Sequence, residues 1–119
     1  PDSMRASLST FSAMDVSGKR IAVLGDMGEL GSFAPECHAR VGSYAAHCSL
    51  DLLVCVGDLS VDIAAGAKAA GMSADKIVHV DDIEAALAYV APRANPGDAV
   101  LVKASNFMEF SRIVKGLVG

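Results

Sequence analysis

Four short apolar runs punctuate the chain: Ile21 to Leu24, Leu52 to Val56, Ile77 to Val80 and Ala99 to Val102. They do not alternate with polar residues, so they read as strands covered on both faces. Around them, apolar residues recur at helical spacing. Met4, Leu8, Phe11 and Met14 predict an amphipathic helix that ends before Gly18. Cys37, Val41, Ala45 and Cys48 predict a second helix, Leu59, Ile63, Ala67 and Ala70 a third, and Ile83, Leu87 and Val90 a fourth. Phe110, Ile113, Val114 and Leu117 predict one more after the last strand. Connections are short and rich in Gly, Asp and Pro, as in ANPGD at 94–98, and no repeat or low-complexity tract interrupts them. Strand alternating with helix predicts an α/β fold: a Rossmann-like open, mainly parallel sheet with helices on both faces and right-handed crossovers. The expected strand order is 3-2-1-4.

In such a sheet, ligands bind beyond the carboxyl ends of the strands, where the winding reverses. With the order 3-2-1-4 the reversal lies between the first and fourth strands. The loops leaving them are GDMGELG at 25–31 and KASNFME at 103–109, which also hold the most polar chemistry. Asp26 and Glu29 lie in the first. Lys103, Ser105 and Asn106 lie in the second, just ahead of a predicted helix whose free N–H groups favour anions. Each feature also has a plain structural reading. The glycines can serve a tight turn, Asp26 can cap backbone amides, and Lys103 can be a solvated edge charge or an ion-pair partner of Asp26 or Glu29. Equally, Lys103 can clamp a ligand carboxylate or phosphate. The glycines match neither G-x-G-x-x-G nor G-x-x-x-x-G-K-[ST], so the chain by itself is not expected to cradle a triphosphate.

Composition narrows the partners. At 119 residues and 52% hydrophobic, the chain has the size of one domain with a real core. A net charge of -4, with four Phe, two Tyr and no Trp, offers neither a basic stripe nor many stacking platforms, which argues against nucleic acid. No apolar run approaches the roughly 20 residues of a membrane span, and the start lacks a signal-peptide pattern. Cys37, Cys48 and Cys55 are odd in number and lie at no metal-ligand spacing, so they are expected to be buried free thiols in a reducing cytoplasm. His38, His47 and His79 form no i, i+4 pair and read as ordinary helix and strand residues, with no metal site expected.

The segments PDSMRASL, KRIAVLGDMGELG, ECHARVGSYAA, VCVG and VLVKASNFMEFSRIVKGL, in that order and spacing, resemble the C-terminal domain of the MurF-type enzymes of the Mur ligase family across essentially the whole chain. The chain opens without an initiator Met, as if cut from something longer. The resemblance implies that residues 1–119 are a single domain, the substrate-binding lid of a three-domain, cytoplasmic, bacterial and monomeric enzyme. Such enzymes are ATP-dependent ligases that join D-alanyl-D-alanine to UDP-N-acetylmuramoyl-tripeptide in peptidoglycan synthesis, through an acyl phosphate. The N-terminal domain would hold the UDP-sugar, and the central domain the P-loop for ATP and Mg2+. This domain alone would then be inactive, with no catalytic residue of its own.

Carried over position by position, the resemblance places Asp26, Met27, Glu29 and Leu30 in a loop facing the cleft, with Lys103 and Ser105 beside it. Lys103 with Ser105 would take the dipeptide carboxylate, and Asp26 or Glu29 would accept from its amine. Where the family commonly reads KGSR, this chain has Lys103, Ala104, Ser105 and Asn106. Ala104 adds a Cβ, and Asn106 removes a bidentate cation. Two rival readings remain at this level. One is a receiver-like phosphoacceptor module, suggested by Asp26, Asp58 and Lys103 at strand ends. The other is a non-catalytic nucleotide- or protein-binding domain.

Overall fold

The computed structural model of the chain describes residues 2–27, 31–103 and 111–115, with side chains described for residues 4–27 and 31–103. The elements run α1 (Asp2–Ala13), β1 (Arg20–Gly25), α2 (Ala34–Ala45), β2 (Leu52–Val56), α3 (Val61–Ala69), β3 (Ile77–Val80), α4 (Ile83–Val90), β4 (Ala99–Lys103) and β5 (Ser111–Lys115), with short 3-10 turns before α2 and β3. They form one sheet of order β3-β2-β1-β4-β5. Strands β1 to β4 are parallel neighbours in the predicted 3-2-1-4 arrangement. The α/β, doubly covered fold follows from the unbroken apolar runs. Along β1, Ile21 and Val23 face one layer and Ala22 and Leu24 the other.

The two layers differ in depth. On one face, Met4, Leu8 and Phe11 of α1, Val41 of α2 and Ile63 of α3 enclose Ala22, Leu24, Leu53, Cys55 and Leu101. On the other, Ala86 and Val90 of α4 cover Ile21, Val23, Val54, Val100 and Val102. Helices α2 and α3 touch backbone to backbone. A Cβ on Gly42 would lie 1.9 Å from the Ile63 carbonyl oxygen, and one on Gly66 would lie 2.1 Å from that of Ala39. Glycine is thus required at both positions by close approach rather than by dihedral freedom.

The segment after the last parallel strand corrects the sequence reading. The helix expected from Phe110, Ile113, Val114 and Leu117 is not what residues 111–115 form. They make β5, antiparallel to β4, with Ile113 opposite Leu101 and Val114 opposite Val100. Phe110 and Leu117 lie outside the described residues. Two adjacent β-branched residues favour extended backbone. Pairing also satisfies the N–H and C=O groups that β4 would otherwise expose at its edge.

The amino ends of the strands are tied by carboxylates. Asp98 accepts from the backbone N–H of Lys19 and of Asn95, both at 2.8 Å, with the Lys19 ammonium 3.6 Å away. Asp51 accepts from the Arg20 N–H at 2.9 Å. The Arg20 guanidinium donates to the carbonyls of Phe11 and Met14. It thereby places a cation where the end of α1 leaves acceptors without helical partners. Cys48 and Cys55 are buried free thiols, Cys37 is half-buried, and burial pushes the Cys55 thiol up to about 12.

Candidate functional site at the carboxyl edge of the sheet

Register decides what meets at the carboxyl edge. Leu24 pairs with Lys103 and Gly25 with Val56, so Asp26 and Gly57 leave β1 and β2 at one level, while Lys103 ends the adjacent β4 level with Leu24, two residues earlier. Asp26 and Lys103 therefore lie at the reversal point, as the 3-2-1-4 order requires. Glu29, Leu30, Ser105 and Asn106 lie outside the described residues.

The Asp26 carboxylate is held from the neighbouring connection. Its Oδ1 accepts two hydrogen bonds from Ser60, from the N–H at 2.8 Å and from the hydroxyl at 2.7 Å. Ser60 is fully buried, whereas Asp26 is half-buried. Gly57, at φ +103°, makes room for this arrangement, since a Cβ there would come within 2.6 Å of Asp26 Oδ2. The Gly57 peptide is itself fixed on both sides by β3. Its N–H donates to the Val80 carbonyl at 2.9 Å, and its carbonyl accepts from His79 Nε2 at 2.7 Å.

Met27 is anchored differently. Its side chain is only 5% exposed and packs in the core under α1–α3. Its N–H donates to His38 Nε2 at 2.9 Å, while His38 Nδ1 lies 2.6 Å from the Ala34 carbonyl oxygen. An amide N–H only donates and a carbonyl only accepts, so the imidazole is neutral with its proton on Nδ1. Fully buried, His38 bridges the residue after Asp26 to the first turn of α2.

Ser60 and His38 were absent from the sequence-derived site. His38 carried a signal, because it shares the α2 face of Ala34, Val41 and Ala45, all buried. Ser60 carried a weaker one, as the last residue before a helix in a polar GDLS stretch after an apolar strand. The edge also bears apolar surface. Phe33, Leu59 and Val61, at the starts of α2 and α3, are 66%, 39% and 51% exposed. Among the described residues, no group of three or more His, Cys, Asp or Glu side chains is placed to hold a metal ion, and no helix is long and apolar enough to cross a membrane.

Comparison with known proteins agrees with this architecture. The family model described as Mur ligase, glutamate ligase domain matches residues 1–106. Over 118 residues the chain is 33% identical to the UDP-N-acetylmuramoyl-tripeptide--D-alanyl-D-alanine ligase of Bacillus subtilis (strain 168), covering 99% of the chain and 26% of that relative. It is 36% identical over 135 residues to the protein of the same name from Mycobacterium tuberculosis (strain CDC 1551 / Oshkosh), with 99% and 26% covered. Identity to the Escherichia coli (strain K12) protein of that name is 27% over 121 residues, with 98% and 26% covered. The chain thus spans about a quarter of the length of the curated relatives it matches. With a model match over most of its length and the strand order expected of it, the chain belongs to the Mur ligase family, as a domain of the kind found at the C-terminus of these enzymes.

Proposed function

We propose that the chain is the C-terminal lid of a cytoplasmic, ATP-dependent ligase that joins D-alanyl-D-alanine to UDP-N-acetylmuramoyl-tripeptide. The observation that carries this reading is the carboxyl edge between β1 and β4. There Asp26 and Lys103, of opposite charge, leave adjacent strands, on an edge that also exposes Phe33, Leu59 and Val61. Large exposed apolar side chains beside convergent polar groups favour an edge that closes on another surface. The rest of a protein of the relatives' length would supply that surface.

In this reading the central domain would hold ATP and Mg2+, and the tripeptide carboxylate would take the terminal phosphoryl group of ATP to form an acyl phosphate, with ADP leaving. The dipeptide amine then displaces phosphate and loses a proton as the amide forms. This chain's part is to present the dipeptide. Lys103, with Ser105, receives its carboxylate, and Asp26 or Glu29 accepts from its ammonium, so that the amine is oriented toward the acyl carbon.

A receiver-like phosphoacceptor finds less support. Receiver sheets have the order 2-1-3-4-5, whereas this one runs β3-β2-β1-β4-β5 with its last strand antiparallel. The test is phosphate release by the full-length protein. Release should require ATP, UDP-N-acetylmuramoyl-tripeptide and D-alanyl-D-alanine together, with the amide product visible by mass spectrometry. Absence of product with all three present would overturn the reading.

A further inference from the structure

Helix starts are ordinarily capped by their own Ser, Thr, Asp or Asn side chain, and α4 follows that rule, with Asp82 accepting from the Ala85 N–H at 2.8 Å. Helix α3 does not. Ser60 stands at its cap position but makes no side-chain cap bond, and sends its hydroxyl across to Asp26 instead. The same Oδ1 takes the Ser60 N–H. Gly57 occupies a left-handed conformation and leaves the space that the carboxylate fills. Because His79 and Val80 pin the Gly57 peptide, the cradle is referenced to the sheet rather than to a loose turn.

We infer that Ser60, with Gly57, is a positioning residue for the ligation, acting through Asp26. The two bonds to Oδ1, with the carboxylate packed over Gly57, fix the orientation of the Asp26 side chain at the end of β1. A carboxylate so fixed accepts from the dipeptide ammonium without first losing side-chain freedom. This inference rests on the lid reading above, and it specifies which of Asp26 and Glu29 meets the amine.

The test is steady-state kinetics on the full-length ligase with Asp26→Asn, Ser60→Ala and Ser60→Thr, together with melting temperatures. Asp26→Asn keeps an oxygen that accepts from Ser60 but removes the charge. It should raise KM for D-alanyl-D-alanine by about tenfold or more, with a melting temperature close to wild type. Ser60→Ala should raise the same KM by roughly fivefold, with little change in KM for ATP, and Ser60→Thr should restore it because the hydroxyl is kept. If Ser60→Ala melts earlier yet leaves the dipeptide KM within about twofold of an active wild type, Ser60 serves only the start of α3 and the inference fails. A shift confined to KM for ATP would overturn the assignment of Asp26 to the amine. A wild-type protein that forms no amide overturns the lid reading itself, an outcome distinct from both.

Discussion

Lys103 ends β4 half-buried, opposite Leu24 on β1 and Ser111 on β5. Its replacement separates two roles that the sequence could not distinguish. A charge at a strand end that serves only a solvent-exposed pair contributes at most about 1 kcal/mol. An aligned contact to a substrate carboxylate contributes roughly 2 to 5 kcal/mol, more than tenfold in rate. Lys103→Ala in the full-length enzyme is therefore expected to lower kcat/KM for the dipeptide by more than tenfold while shifting the denaturation midpoint little. A variant that melts early yet keeps its specific activity would make Lys103 structural. The strand-end positions of Asp26 and Lys103 are legible in the sequence, because Lys103 follows an apolar run directly and Asp26 follows one after a single glycine. Ser60 was not, because its value depends on a bond to a residue 34 positions earlier that only the β1–β2 register creates. The sequence alone reads His38 as an ordinary helix residue. Helical spacing shows that it is buried, but not that it receives the Met27 N–H.

At the scale of elements, the strands and first four helices were legible because each obeys a single period over enough residues. The segment at 111–115 was not, because Ile113 and Val114 fit a helix face as well as a strand, and pairing with β4 decided the matter. The α2–α3 contact yields a prediction in which two effects oppose each other. Gly42→Ala improves intrinsic helix propensity by about 1 kcal/mol, but places its Cβ 1.9 Å from a backbone oxygen that cannot rotate away. Overpacking of this kind costs about 1 to 3 kcal/mol or more, so the variant should unfold at lower urea than the wild type. A higher midpoint would mean that the two helices sit further apart than described. The strand bases yield a pH dependence. Burial works against charge on Asp98, but the Lys19 and Asn95 amides and the Lys19 ammonium outweigh it and hold its carboxyl below the ordinary carboxylate value. A depressed folded pKa gives stability that is complete above the unfolded value of about 3.9 and is lost as pH falls through the folded one. Asp98→Asn should therefore be less stable than wild type at neutral pH by about 1 to 3 kcal/mol. Urea midpoints measured downward from pH 6 should show that gap closing only below about pH 4, and a gap independent of pH would remove Asp98 from the acid limb.

At the scale of the whole molecule, the proposed ligase function divides between these 119 residues and the rest of a longer protein. Both faces of the sheet are covered within the chain, by α1–α3 on one side and α4 on the other. A domain of this size buries about two-thirds of its unfolded surface, so it should fold cooperatively by itself. Its chemistry should not survive isolation. The sequence has no G-x-x-x-x-G-K-[ST] motif to cradle a triphosphate. The edge carrying Asp26 and Lys103 is one wall of the proposed pocket. A pocket that closes on substrate draws much of its binding free energy from the closed state, which one wall cannot reach. The isolated chain is therefore expected to be a folded monomer that neither hydrolyses ATP nor forms an amide. Its affinity for D-alanyl-D-alanine should be millimolar or weaker, about -4 kcal/mol or less in magnitude. Calorimetry on the purified domain measures this directly. Heat consistent with a micromolar dissociation constant would show that this domain holds a complete dipeptide site. In that case Lys103→Ala in the isolated domain, and not only in the full-length ligase, should weaken binding by the same factor.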